Sequence, residues 1–193
     1  FTLKHYIEAF SIDWVKERGL LWTGTAWNSF NTTFTIAIIS ALPTAAIGIL
    51  TAYLLTRHKF RGKNAFEFGT MLSFAIPGSV IGVSYVFAFN VPPLELTGTG
   101  IILVIAFVFR NMPVGVRAGI AAMNQLDPHL DEASSTLNAS SSQTFRNIIL
   151  PLLKPAITAS LVFSFVRAMT AISAVIFLVS ANYDLAVSYI LGR

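Results

Sequence analysis

The chain has no cysteine, which excludes disulfides, thiolate-bound metals and a thiol nucleophile. It is also poor in charge. Only 11% of its 193 residues are Asp, Glu, Lys or Arg, where a soluble domain carries about a quarter. Histidine is scarce: His5, His58 and His129 lie far apart, so no histidine metal site is expected. No Gly-x-x-x-x-Gly-Lys-Ser/Thr run occurs, so no Walker loop binds ATP here. No Ser/His/Asp set stands at a catalytic spacing, and the chain is read as neither an enzyme nor a cofactor carrier. Its basic residues are not interleaved with exposed aromatics, so nucleic acid is not an expected partner.

What is abundant is apolar: 54% of residues are hydrophobic and the mean hydropathy is +0.68. The chain is therefore read as an integral membrane protein with the lipid bilayer as its first partner. Its start at Phe1, without a signal-peptide pattern, reads as a piece excised from a longer protein. Residues 1–30 carry Lys4, Glu8, Asp13, Lys16, Glu17 and Arg18, which exclude a span, and Trp14, Trp22 and Trp27, which suit a membrane boundary. They are expected to form an external interfacial helix or loop. Residues 31–193 are expected to be the membrane domain.

Four spans are expected, at about 31–55, 66–89, 100–122 and 156–179, each near or above the ~20 residues a crossing needs. Between the first two lie Arg57, Lys59, Arg61 and Lys63, four basic residues in seven positions. This loop is placed inside by the positive-inside rule, with anionic-lipid binding as the other reading. Residues 90–99 hold no Lys or Arg and are placed outside, as is the tail from Ala181. Pro77 with Gly78 and Gly82 predicts an irregular second span. Gly78/Gly82 and Gly115/Gly119 have the spacing of close helix packing, and in this piece those faces are expected to be left unpaired.

The stretch 127–157, DPHLDEASSTLNASSSQTFRNIILPLLKPAI, is polar between two apolar runs. Asp127 suits an N-cap, Pro128 the first helical position, and Asp131 and Glu132 complement the positive helix end. Leu130, Ala133, Ser134 and Leu137 fall on one face. Asn138 reads as a left-handed stop. Ser140 and Gln143 then have capping-box spacing, and Phe145, Ile148, Ile149 and Leu152 give a second apolar face before Pro151 and Pro155 disturb it. The spacing predicts two short helices bent at Asn138-Ala139. On physical grounds alone they either carry a function or merely connect two spans.

This stretch resembles the EAA loop of ABC-transporter permeases. Glu132-Ala133-Ser134 stands for EAA and Ile148-Ile149-Leu150-Pro151 for its I-x-LP end; Leu137, Ala139 and Phe145 also match. Ser134 replaces the second alanine and Asn138 the glycine. The runs at 74–100, 107–119 and 164–186 look like the ferric-iron permeases of bacterial importers, with thiamine, phosphonate, sulfate and polyamine permeases as relatives. The resemblance implies an all-α helical bundle of the importer-permease type, multi-pass in the bacterial inner membrane. It implies a coupling loop at 127–155 whose Glu132, Ala133, Ser134, Leu137, Asn138, Ala139, Phe145, Leu150 and Pro151 dock a cytoplasmic ATP-binding subunit, where ATP is hydrolysed. It also implies a periplasmic solute-binding protein and a second permease half or subunit, with one helix lacking before Phe1 and one after Arg193. A channel or a membrane enzyme is the rival reading.

Arg110 and Arg167 fall near the middle of the expected third and fourth spans, each about 15–17 Å from its end by helix rise. A mid-membrane Arg costs at least ~2.5–3.5 kcal/mol facing lipid, so both are expected to face protein or a polar path at similar depth. With Asn111, Ser84 and Thr170 they are the candidates for a translocation path, which would suit an anion or a ferric ion travelling with one. The bland alternative is that each arginine caps helix carbonyls.

Overall fold

The first long apolar run forms one unbroken helix, α2 (Ala26–Arg57), in spite of Pro43 inside it. It follows a short α1 (Lys4–Ala9) and an antiparallel pair, β1 (Asp13–Val15) with β2 (Gly19–Leu21), in register Trp14 to Leu20. The computed structural model describes residues 4–15, 19–127, 129–180 and 182–192. Expectations resting on Lys16, Glu17, Arg18, Pro128 and Ala181 fall outside the described residues. The hairpin is a small departure from the expected helix or loop. The boundary expected at residue 30 falls inside α2.

Two compact units are present. One holds residues 1–38, 77–106 and 168–193, the other residues 39–76 and 107–167.

In the first unit, Trp27 gathers Phe10, Trp22 and Phe30 edge-on at ring distances of 5.1, 4.3 and 6.1 Å. Asp184 accepts from Ser29 Oγ at 3.0 Å and from Ser188 Oγ, and the Ala186 N–H donates to Thr33 Oγ1 at 2.8 Å. These bonds tie the last helix, α10 (Ala186–Leu191), to the start of α2. Helix α4 (Gly78–Phe89) is packed closely: a Cβ on Gly82 would stand 2.4 Å from the Ala174 carbonyl oxygen.

In the second unit, α3 (Lys63–Ala75), the Arg57 end of α2, α5 (Gly100–Met123) from Phe107 onward, and most of α9 (Lys154–Thr170) surround an apolar core. Leu55, Met112 and Val116 form one cluster; Ile49, Met123, Ile149 and Leu153 form another. The helices meet through small residues. A Cβ on Gly115 would come within 2.6 Å of Ser160 Oγ, and one on Gly119 within 2.5 Å of Ala52 Cβ. Both small-residue faces expected to be unpaired are therefore used within the chain: Gly115/Gly119 meet α2 and α9, and Gly82 meets the backbone near Ala174. The reason is that small residues allow backbones to approach wherever a partner is available.

The expected second span is two helices. After α3, Ile76 is extended (φ −87°, ψ 131°) and Pro77 precedes α4. Proline removes an N–H and pushes the residue before it out of the helical region. The expected fourth span also needs correction: α9 stops at Thr170, and residues 173–178 form turns. Among the described residues, two helices are long and apolar enough to cross a membrane alone, or up to four if each bent pair is one span.

Candidate functional site

The polar loop begins at Asp127, whose Oδ1 accepts the His129 N–H at 2.9 Å and starts α6 (His129–Thr136). The helix ends as its sequence suggests. Asn138 has φ 57°, the Ala139 N–H donates to Ser134 O at 3.1 Å and the Asn138 N–H to Ser135 O at 3.0 Å. Those two bonds and a left-handed residue are the Schellman ending, which Asn tolerates better than most side chains. Ser140 then caps α7 (Ser141–Thr144): its Oγ accepts the Gln143 N–H at 3.3 Å, and Gln143 Oε1 accepts the Ser140 N–H at 2.8 Å. The bend lies where the sequence puts it.

The second arm is less regular than its sequence suggests. Residues Phe145–Ile149 form a π-helical turn before α8 (Leu150–Leu152), with the Leu150 N–H bonded to Phe145 O. Pro151 explains this, since it offers no N–H and its ring crowds the preceding turn. Ile149 and Leu153 are fully buried, whereas Leu152 is 49% exposed. Of the expected face, Phe145 and Ile148 are half-buried and Ile149 is buried; Leu152 is corrected to Leu153, one turn after Ile149. Ile149 and Leu153 pack with Ile49 and Met123, and Phe145 lies 4.7 Å from the Tyr53 ring. This arm and α9 meet at 71°.

The first arm is exposed where the second is buried. Glu132 and Ala133 face solvent and Leu137 is 83% exposed. The expected apolar face of α6 is thus split: Ser134 is buried and Leu130 half-buried, while Ala133 and Leu137 point away. Ser134 Oγ pairs with Thr144 Oγ1, locking the two arms together. That contact, the buried Leu153 and an Arg57–Asp131 ion pair at 3.2 Å were not foreseen. Thr144 carried a weak signal, one turn after the Ser140 cap; the ion pair had none in local sequence. Leu150 is half-buried and Pro151 exposed.

His129 Nδ1 lies 3.0 Å from Glu132 Oε2. That hydrogen bond first, then the negative charges of Asp127 and Glu132, hold the imidazole above its ordinary value, against a small opposing effect of desolvation.

The path candidates are divided between the two units. Arg110 is half-buried, with Nη1 buried and without a hydrogen-bond partner among the described residues; Asn111 beside it is buried. Arg167 is exposed but within electrostatic reach of Arg110. It stands in the last turn of α9 rather than mid-span, because the helix ends at Thr170, and there its charge suits the helix's negative end. Ser84 and Thr170 belong to the other unit, and Ser84 Oγ donates to Val80 O at 2.8 Å. Among the described residues, no group of three His, Asp or Glu side chains is placed to hold a metal.

The family model for the binding-protein-dependent transport system inner membrane component matches residues 44–191. The chain is 53% identical over 168 residues to the ferric transport system permease protein FbpB of Actinobacillus pleuropneumoniae, covering 87% of this chain and 24% of that protein. It is 30% identical over 160 residues to the sulfate transport system permease protein CysT of Salmonella typhimurium, covering 78% and 58%. The chain thus spans about a quarter of the length of the ferric relative. Among solved structures, a bacterial ABC transporter involved in the import of the acidic polysaccharide alginate superposes with a TM-score of 0.69 at 16% identity, over 86% of this chain and 57% of that one. At that identity the likeness speaks for the helical fold.

Proposed function

The chain belongs to the family of binding-protein-dependent transport system inner membrane components, and on that premise we propose that it is part of the permease of an ABC importer for ferric iron. ATP is hydrolysed on a separate cytoplasmic subunit, a periplasmic binding protein delivers the solute, and a second permease half completes the path in a bacterial inner membrane. The observation that carries the coupling role is the bent loop itself. Its first arm presents Glu132, Ala133 and Leu137 to solvent, while its second is fixed by Ile149 and Leu153 among helices long enough to span. An exposed apolar and acidic arm on a rigid mount suits docking to another subunit. Ser134, Asn138 and Ala139 hold the bend; Phe145, Leu150 and Pro151 carry the mount.

Identity to a ferric permease supports iron as the solute. Arg110, Asn111 and Arg167 are the path residues we propose. Two cationic groups repel a bare ferric ion, so iron would pass with an accompanying anion. Sulfate is the second reading, favoured by the 30% identical sulfate relative and by the same two arginines.

Uptake by the intact transporter in proteoliposomes, with its binding protein and ATPase, tests the proposal. Ferric iron should accumulate in an ATP-dependent manner, and sulfate should not. Glu132→Lys should lower uptake per inserted molecule about tenfold or more, as a reversed charge in a partner cleft does. Normal uptake and normal ATPase binding in that variant would refute the docking role. Accumulation of sulfate alone would replace the solute.

A further inference from the structure

Helix α2 ends at Arg57, whose side chain is only 14% exposed. Its Nε lies 3.2 Å from Asp131 Oδ2 on α6, a carboxylate side chain that is 35% exposed. The distance is that of an ion pair, yet the atoms are not aligned as a hydrogen bond. Nε and Nη2 are both buried without a hydrogen-bond partner among the described residues. Those two nitrogens form one edge of the guanidinium. It is an edge that can take a carboxylate through two parallel N–H···O bonds. The pair therefore stands one small displacement short of its best geometry.

For stability alone this is a poor arrangement. A nearly buried charge with unmade donors costs more than an apolar contact in the same place. As a device between two positions it makes sense. A slight movement of α6 would complete two charge-assisted bonds, and the reverse movement would break them, so a short displacement carries a large change in energy. The connection is also direct. Through the chain, movement of α6 must pass the turn at Asn138 and the whole second arm before it reaches Ile49 of α2. Through Asp131 it reaches the end of α2 in one contact. Tyr53, one turn before Arg57, lies within electrostatic reach of both charges and packs on Phe145 of the second arm. The two routes thus converge on the same end of α2.

We propose that Arg57 and Asp131 are a positioning pair, a two-point latch that closes when the docking arm moves and passes that movement to the first long helix. The inference rests on the proposed coupling role of the loop. It adds two residues outside the solvent-facing docking surface and assigns them an action on the span instead of on the partner.

The test uses the intact transporter in proteoliposomes with its binding protein and ATPase, reading ferric-iron uptake and ATP hydrolysis together. Asp131→Asn keeps the shape and removes the charge. Arg57→Lys keeps the charge and removes the two-pronged edge. Both should lower uptake per ATP hydrolysed about fivefold, within the range of contacting charged pairs, while the ATPase still co-purifies. The reciprocal Arg57→Asp/Asp131→Arg protein should recover part of that ratio. A purely structural role predicts otherwise: uptake and hydrolysis would fall together with protein level, and the ratio would hold. That result overturns the latch. So does a reciprocal protein no better than either single variant, or loss of ATPase binding in Asp131→Asn, which would put Asp131 in the docking surface. If Asp131→Asn fails to insert, Arg57→Lys carries the test, since it leaves a cation beside the carboxylate. A transporter in which Glu132→Lys uncouples and Arg57→Lys does not would keep the proposed function and discard the latch.

Discussion

The two arms of the bent loop follow one another directly in sequence and differ sharply in burial. The first arm, α6 and the turn after it, is short and polar, with Glu132, Ala133 and Leu137 in solvent. It is held by the Ser134–Thr144 hydroxyl pair and the ion pair to Arg57. The arm after Ser140 is threaded by a π turn and ends in Ile149 and Leu153, which expose nothing. An element with few buried apolar contacts opens at low cost, whereas one seated in a core opens only with the domain. The loop is divided by burial: one arm stands in solvent, and the other is seated in the core.

The sharpest way to break this contrast is to truncate one leucine in each arm. Leu153→Ala removes a fully buried side chain packed with Ile49, Met123 and Ile149, and should cost ~2–5 kcal/mol. Leu137→Ala removes a side chain 83% exposed and should change stability by no more than about 0.5 kcal/mol. Thermal unfolding of both variants in the intact protein measures the difference. Equal losses would mean that the first arm is as much a part of the core as the second.

A smaller effect tests the hinge between the arms. Asn138 has φ 57°, which a residue with an ordinary Cβ adopts at a cost of ~1–2 kcal/mol. Asn138→Ala should therefore destabilise by about 1 kcal/mol, and Asn138→Gly should be neutral or mildly favourable. The same unfolding measurement decides it. A Gly variant as damaged as the Ala variant would show that the Asn side chain, not its backbone conformation, makes the bend.

What could be read from the sequence was local. The Asn138 stop, the Ser140–Gln143 box and the break at Pro77 are each fixed by residues within one turn, and each stands where the sequence puts it. The burial of Leu153 is compatible with helical spacing, since it lies one turn after Ile149 and bonds to its carbonyl; the expected face took Leu152 in its place, and spacing alone does not choose between the two. The end of α9 at Thr170 was missed for a different reason. No proline or glycine marks it, and the turns beyond it bring the Ala174 backbone against Gly82, a contact that exists only in the assembled unit. Arg167 then changed role, from a mid-span charge to one in a last turn. The Arg57–Asp131 pair joins residues far apart in sequence, so neither stretch alone announces it.

The smallest effect is confined to the first arm and concerns proton binding. His129 stands at the start of α6, where the helix's positive end disfavours an imidazolium. Its neighbours reverse that preference. The hydrogen bond to Glu132 is the largest influence, followed by the charges of Asp127 and Glu132, and together they raise the imidazole above its ordinary value of about 6.5. A raised value in the folded state means that folding favours the protonated form. The contribution is present in full below the unfolded value and is lost as pH rises through the folded one. The side chain is 79% exposed, so screening keeps the effect small. Imidazole NMR of the intact protein in nanodiscs should give a His129 midpoint above 6.5. Glu132→Gln should bring it back toward that value, because it removes the first cause and one of the two charges. Asp131→Asn should leave it in place, since that carboxylate is engaged with Arg57. The second arm offers a built-in control: its cap joins Ser140 to Gln143, neither of which titrates, so its amide resonances should hold still over the same range. A His129 midpoint at or below 6.5, or a second arm that titrates with it, would erase the electrostatic difference between the two arms.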